Sequence, residues 1–188
     1  MERNIVLSEN EIKEICERIG KEITLKFKNA QKVPVIVGVM KGALNFMMDL
    51  IKYIDIPVFI DYIQVSSYSG TKTSGTVRLV KDLSFNCENR AVVIVEDIID
   101  TGYSMSFLLK HIRSHNPGEV YVCALFDKKN ARKVPANVDF VGKELEKNDF
   151  LVGYGLDYNE LERNVPYVYS ATKEDVERLN AYLDNEAK

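Results

Sequence analysis

Apolar positions in this chain switch between two spacings, and the switching predicts alternating strands and helices. Ile12, Ile15, Cys16, Ile19 and Ile23 recur at helical intervals behind a capping box of Ser8 and Glu11, so a first helix is expected to run to about Phe27. Residues 33–39 form a continuous Val/Ile-rich run of the kind that fills a buried strand. After the tight connection Met40-Lys41-Gly42, Ala43, Phe46, Met47, Leu50, Ile51 and Ile54 mark a second helix with one apolar face. Residues 57–65 read as the next strand, parallel to the first and reached by a right-handed crossover. The small-polar tract 66–75 lacks residues that pack and is expected to be a mobile lid, with Ser67 and Tyr68 near its start. A short strand is expected at 76–80.

Further along, residues 120–126 form another buried run that ends in Asp127-Lys128-Lys129. After Pro135 the apolar pieces shorten to 138–141, 150–158 and 167–169, which predicts a small hood over the sheet edge. Thr172 caps a last helix with Val176, Leu179 and Leu183 on one face. The sum is one α/β domain over residues 1–188: a central, mostly parallel sheet flanked by helices. Its core is expected at about 30–130, with a hood from the N-terminal segment and about 135–188.

The chemistry concentrates in residues 91–104. A strand, Val92 to Val95, ends in Glu96 and Asp97; Asp100-Thr101-Gly102-Tyr103-Ser104 follow, then Met105, Leu108, Leu109 and Ile112 at helical spacing. Ligands of open α/β sheets bind outside the carboxyl ends of strands, so the acids should stand at a site mouth. The loop before the helix offers peptide N–H groups and hydroxyls to an anion. Acids facing hydroxyls and a loop facing phosphate together suit a sugar phosphate. The plainer reading, solvated acids with Asp100 as a helix cap, is outweighed by three acids and Thr-Gly-Tyr-Ser in one turn.

Composition narrows the classes. Hydrophobic residues make up 46% and charged residues 28% of 188, as in a soluble domain, and a net charge of −3 gives no general pull toward nucleic acid or anionic membrane. Cys16, Cys87 and Cys123 are scattered, without metal-binding spacing; Cys16 and Cys123 sit among apolar residues and fit buried thiols in a reducing cytoplasm. His111 and His115 fall near the end of one helix, where a structural role is expected rather than a metal site. No apolar core follows the first charges and no run is long enough to span a bilayer, so neither signal peptide nor membrane partner is expected.

Residues 93–102, Val-Ile-Val-Glu-Asp-Ile-Ile-Asp-Thr-Gly, resemble the phosphoribosyl-pyrophosphate (PRPP) signature of bacterial hypoxanthine and hypoxanthine-guanine phosphoribosyltransferases. Residues 37–42 resemble that family's pyrophosphate loop, 66–70 its lid and 150–160 its purine hood, all in family order. The likeness spans nearly the whole chain. It implies the type I phosphoribosyltransferase fold and transfer of phosphoribose from PRPP to a 6-oxopurine, with Mg2+ as cofactor and a homodimer or homotetramer as assembly.

By position, the resemblance puts Glu96 and Asp97 on the ribose hydroxyls and Asp100 near purine N7 as general base. It puts Thr101, Gly102, Tyr103 and Ser104 on the 5′-phosphate, and Lys41, Gly42 and Arg163 on pyrophosphate. In relatives the Lys41–Gly42 peptide is often cis, a costly geometry. Lys128 would donate to the 6-oxo group, Phe150 would stack on the base, and Leu151 would offer its carbonyl to the purine edge. Asp157 would help hold the metal, with Glu96 and Asp97 beside it. Tyr103-Ser104 stands where relatives vary and some carry lysine, and the lid differs somewhat from the bacterial pattern.

Two other classes compete. A regulator that kept the fold and binds PRPP or a nucleotide would want a basic face or an added domain. A receiver-like signalling domain would place its acid pair after the first strand and would lack a hood.

Overall fold

The structure, a computed structural model, describes residues 3–67, 77–147 and 149–186. Val35–Met40 (β2), Phe59–Ser67 (β3), Val77–Lys81 (β4), Ala91–Ile99 (β5), Glu119–Asp127 (β6) and Phe140–Glu144 (β7) form one sheet. Among the described residues its order is β4-β3-β2-β5-β6-β7. Only β4 runs antiparallel, against β3; the other neighbours are parallel, as the crossover rule requires.

The helices cover both faces. Glu9–Phe27 (α1) starts at the expected capping box, with Ser8 Oγ accepting the Glu11 N–H and the Glu11 carboxylate accepting that of Ser8. Leu44–Leu50 (α2) packs beside α1, whereas Tyr103–Arg113 (α3) covers the opposite face. Strand periodicity divides β5 between them: Val93 and Val95 join the core under α1 and α2, and Val92 and Ile94 the core under α3.

A second, antiparallel sheet makes the hood from Asn4–Leu7 (β1), Val168–Ser170 (β9) and Leu151–Val152 (β8) in that order. Lys173–Glu186 (α4) follows, with Thr172 and Asp175 bonding reciprocally at its start. Glu162 ties the hood together. Arg3 Nη2 lies 3.0 Å from one of its oxygens, Arg178 Nη2 3.2 Å from the other, and the Arg3 guanidinium sits 4.5 Å above the Tyr169 ring.

Three expectations change. β5 continues through Glu96 and Asp97 to Ile99, because β6 extends equally far and keeps pairing it. The core does not end near residue 130: β7 pairs with β6, so this apolar piece completes the main sheet instead of the hood. Finally, the cis peptide lies between Met40 and Lys41, one bond before the one expected. Neither bond involves proline, so residue type gave no signal for its place. The lid expected at 66–75 falls largely outside the described residues, Tyr68 included; Ser67 is the last residue of β3, paired with Val77.

Candidate active site

Strand order reverses between β2 and β5, since β2 leads outward to β3 on one side and β5 to β6 on the other. A crevice at such a switch point opens at the strands' carboxyl ends. There β2 delivers Lys41 and Gly42, β5 delivers Glu96, Asp97 and the 100–104 loop, and β6 delivers Lys128.

Glycines let these segments close on one point. A β-carbon on Gly42 would fall closer than 3.0 Å to Asp97 Oδ2, and one on Gly155 closer than 3.0 Å to the Gly42 carbonyl oxygen. Gly155 has φ +103°, which favours glycine on its own account. The strand-end loop of β2 is thus held between a β5 acid and the hood.

Asp97 is buried and Glu96 half-buried with its Oε2 enclosed, and both carboxyls are shifted upward. Burial pushes Asp97 up to about 6, although the Ile98 N–H bonded at 2.7 Å and the Arg163 charge pull the other way. Burial, then the adjacent Asp97 charge, raises Glu96 well above the carboxylate range. Glu96 Oε2 is buried without a hydrogen-bond partner, so the pair has unused capacity for hydroxyls or a cation.

On the other side of Glu96 a cavity of about 110 Å³ is lined by Asp100, Thr101, Gly102 and Ser104 together with Ile98, Ile99 and Met105. Its loop is braced from below, because the Thr101 carbonyl accepts the N–H groups of Lys133 and Val134 at 2.9 and 3.0 Å. Gly102, at φ +87°, turns the chain into α3 without a side-chain cap. The cavity is large enough for a small anion at the helix start. Tyr103 does not line it; that side chain is exposed at the surface.

Other expected residues fall into two groups. Lys128, buried, donates from Nζ to the Asp149 carbonyl at 2.8 Å, next to Phe150; Phe150 itself is 53% exposed and edge-on to Tyr158, and Leu151 is buried in β8. Arg163 Nη2 pairs with Asp157 at 2.8 Å, Nη1 donates to the Gly155 carbonyl at 2.7 Å, and Nε is buried without a partner. Lys41 Nζ pairs with Glu160 at 2.7 Å. Asp157 accepts the Glu160 N–H as well, so Lys41, Glu160, Arg163 and Asp157 form one charged chain across the mouth. Glu160, Gly155 and the Asp149 carbonyl were not foreseen as site groups. Two glycines around Tyr154 were the available signal for Gly155, whereas a main-chain oxygen such as that of Asp149 leaves none.

Comparison with known proteins fits this geometry. The profile of the phosphoribosyl transferase domain family matches residues 4–159. A hypoxanthine-guanine phosphoribosyltransferase of Staphylococcus epidermidis is 42% identical over 167 residues, 88% of this chain and 92% of that one. A crystal structure of hypoxanthine phosphoribosyltransferase from Staphylococcus aureus superposes with a TM-score of 0.85 at 40% identity, covering 91% of this chain and 92% of its own. A hypoxanthine phosphoribosyltransferase of Trypanosoma cruzi gives 0.86 at 30% identity, covering 100% and 98%.

Proposed function

This chain belongs to the phosphoribosyl transferase family, and on that premise we propose that it moves the 5-phosphoribosyl group of PRPP to N9 of a 6-oxopurine. Hypoxanthine, with guanine beside it, would give IMP or GMP and pyrophosphate in purine salvage. The observation that carries the reading is the convergence of Gly42, Asp97 and Gly155 beside the anion-sized cavity of the 100–104 loop.

Breaking the anomeric C–O bond leaves positive charge on the ribose, so catalysis is mostly positioning and electrostatics. The peptides of Thr101 to Ser104 would hold the 5′-phosphate, and Glu96 and Asp97 the ribose hydroxyls. Asp100, exposed at the first position beyond β5, would take the purine proton. Phe150 would cover the base, Leu151 would offer its carbonyl, and Lys128 would donate to the 6-oxo group. Lys41, Gly42 and Arg163 would meet pyrophosphate, for which Arg163 must exchange part of its pairing with Asp157.

The oxygen-only donors Asp157, Glu96 and Asp97, one with an unpartnered buried oxygen, fit Mg2+. Such an ion would supply neutralisation of the pyrophosphate charge. Among the described residues no helix is long and apolar enough to cross a membrane. A homodimer or homotetramer is supported by α2, which buries Phe46, Met47 and Leu50 yet leaves Leu44 and Met48 exposed.

Chromatographic detection of IMP after incubation with PRPP, Mg2+ and hypoxanthine tests the reading. Binding of PRPP with no IMP formed would overturn the enzymatic role and favour a regulator.

A further inference from the structure

At the opposite end of α3 from the phosphate loop, three ligand-type atoms meet. His111 Nε2 lies 2.7 Å from Asp82 Oδ1, His115 Nε2 lies 3.6 Å from the same oxygen, and the two Nε2 atoms are 3.4 Å apart. Asp82 follows β4, His111 lies in the last turn of α3 and His115 in the turn just after it, so separate parts of the fold contribute. We propose that Asp82, His111 and His115 form a binding site for a divalent transition-metal ion of the Zn2+ class, separate from the phosphoribosyl site.

The plainer interpretation is a carboxylate–imidazole pair anchoring the end of α3. It explains the 2.7 Å contact of His111. It leaves His115 without a short bond of its own, since its Nε2 stands 3.6 Å from Asp82 and a His111 nitrogen that gives its N–H to Asp82 has no lone pair left to accept from it.

The spacing suits a metal. Ligands about 2.0–2.1 Å from a tetrahedral Zn2+ are separated by about 3.3–3.4 Å. The His115–His111 distance of 3.4 Å already matches those edges, the His115–Asp82 distance of 3.6 Å is slightly longer, and the Asp82–His111 contact of 2.7 Å must open. Two imidazoles and one carboxylate favour Zn2+, Ni2+ or Cu2+ over Mg2+. The three side chains are partly open to solvent, which leaves a coordination position for water. Phe107 lies parallel to the His111 ring with centroids 6.2 Å apart.

The ion would join the segment after β4 to α3. An 11-residue helix is about 16 Å long, so the phosphate loop is too distant to share these ligands.

Chelator-stripped protein should bind one Zn2+ in calorimetry, and Co2+ should give visible bands of nitrogen–oxygen coordination without thiolate charge-transfer absorption. His115→Ala, which keeps the Asp82–His111 pair, should weaken binding by at least about tenfold, as loss of one direct ligand should cost no less than loss of a supporting one. It should also reduce any Zn2+-dependent rise in Tm, with phosphoribosyl transfer unchanged. No saturable binding, equal affinity in parent and His115→Ala, or a thiolate band would each overturn the proposal.

Discussion

Gly42 abuts the Asp97 carboxyl group: a β-carbon on Gly42 would fall closer than 3.0 Å to both Oδ2 and the carboxyl carbon. The Gly42 carbonyl meanwhile supports Gly155 of the hood, so the loop cannot retreat to make room. Gly42→Ala should therefore displace the β2 loop, Asp97 or the hood. Misplacement by about 1 Å costs on the order of 100-fold in rate, and kcat/KM for PRPP should fall at least that far. Steady-state kinetics beside a thermal melt check this, and a variant with parental kinetics would show that the contact has no catalytic consequence.

Asp97 sets a pH dependence with a defined sign. Its carboxyl is raised from 3.8 to about 6 by burial, so the folded chain keeps a proton that the unfolded chain releases between those values. Stability linked to this group is fully present below about 4 and declines as pH rises to about 6, by about 3 kcal/mol at most. Asp97→Asn keeps an oxygen for the Ile98 N–H and removes the buried charge. The variant should melt higher than the parent at pH 7, with the difference shrinking toward pH 4, while activity falls if Asp97 holds a ribose hydroxyl as proposed. Melting curves across pH 4–8 test the sign; a variant less stable than the parent at pH 7 would refute it.

The architecture was legible where periodicity is strong. The capping box of α1, the apolar run of β2, the parallel β2–β3 pair and the short β9 all follow from residue spacing. β7 was misassigned because Phe140 and Val141 make too short a run to show whether it joins the sheet or the hood; only pairing with β6 decides that. In the site, Glu96 and Asp97 were visible as residue types, but their burial and unequal surroundings were not. Contacts between distant segments left no trace in local pattern: Gly155 on Gly42, Glu160 on Lys41, and Asp82 on His111.

The hood should depend on one acid. Glu162, 11% exposed, pairs with Arg3 and Arg178 from the two ends of the chain. Glu162→Ala leaves both guanidiniums without their shared partner and should lower stability by about 2–4 kcal/mol. Limited proteolysis would detect loosening of the N-terminal segment and α4. Unchanged Tm and cleavage would mean that the Tyr167 and Tyr169 rings hold Arg3 without the ion pair.

Asp100 is expected to matter for turnover more than for affinity. It stands beyond the last paired residue of β5 and lines the cavity ahead of α3. Asp100→Asn keeps the shape but cannot accept the purine proton, so kcat should fall by about 100- to 10,000-fold. PRPP affinity, measured by calorimetry without base, should change little because the donors proposed for its phosphate are largely peptide groups. Equal turnover in variant and parent would remove Asp100 from the general-base role, and an equal loss of affinity would make it a PRPP ligand only.

Lys128 gives the sharpest test of base selection. Its buried ammonium donates to the Asp149 carbonyl, which holds the side chain next to Phe150, the residue proposed to cover the base. A 6-oxo group accepts from that donor, whereas the 6-amino group of adenine sets donor against donor. Lys128→Ala removes the conflict along with the attraction. Discrimination between hypoxanthine and adenine should shrink by on the order of 100-fold, with kcat/KM for hypoxanthine bearing most of the change. The loss should be shared by guanine, which carries the same oxygen. Competition assays with the three bases measure this directly; unchanged selectivity over adenine would assign the choice of base to the main-chain groups around Leu151 instead.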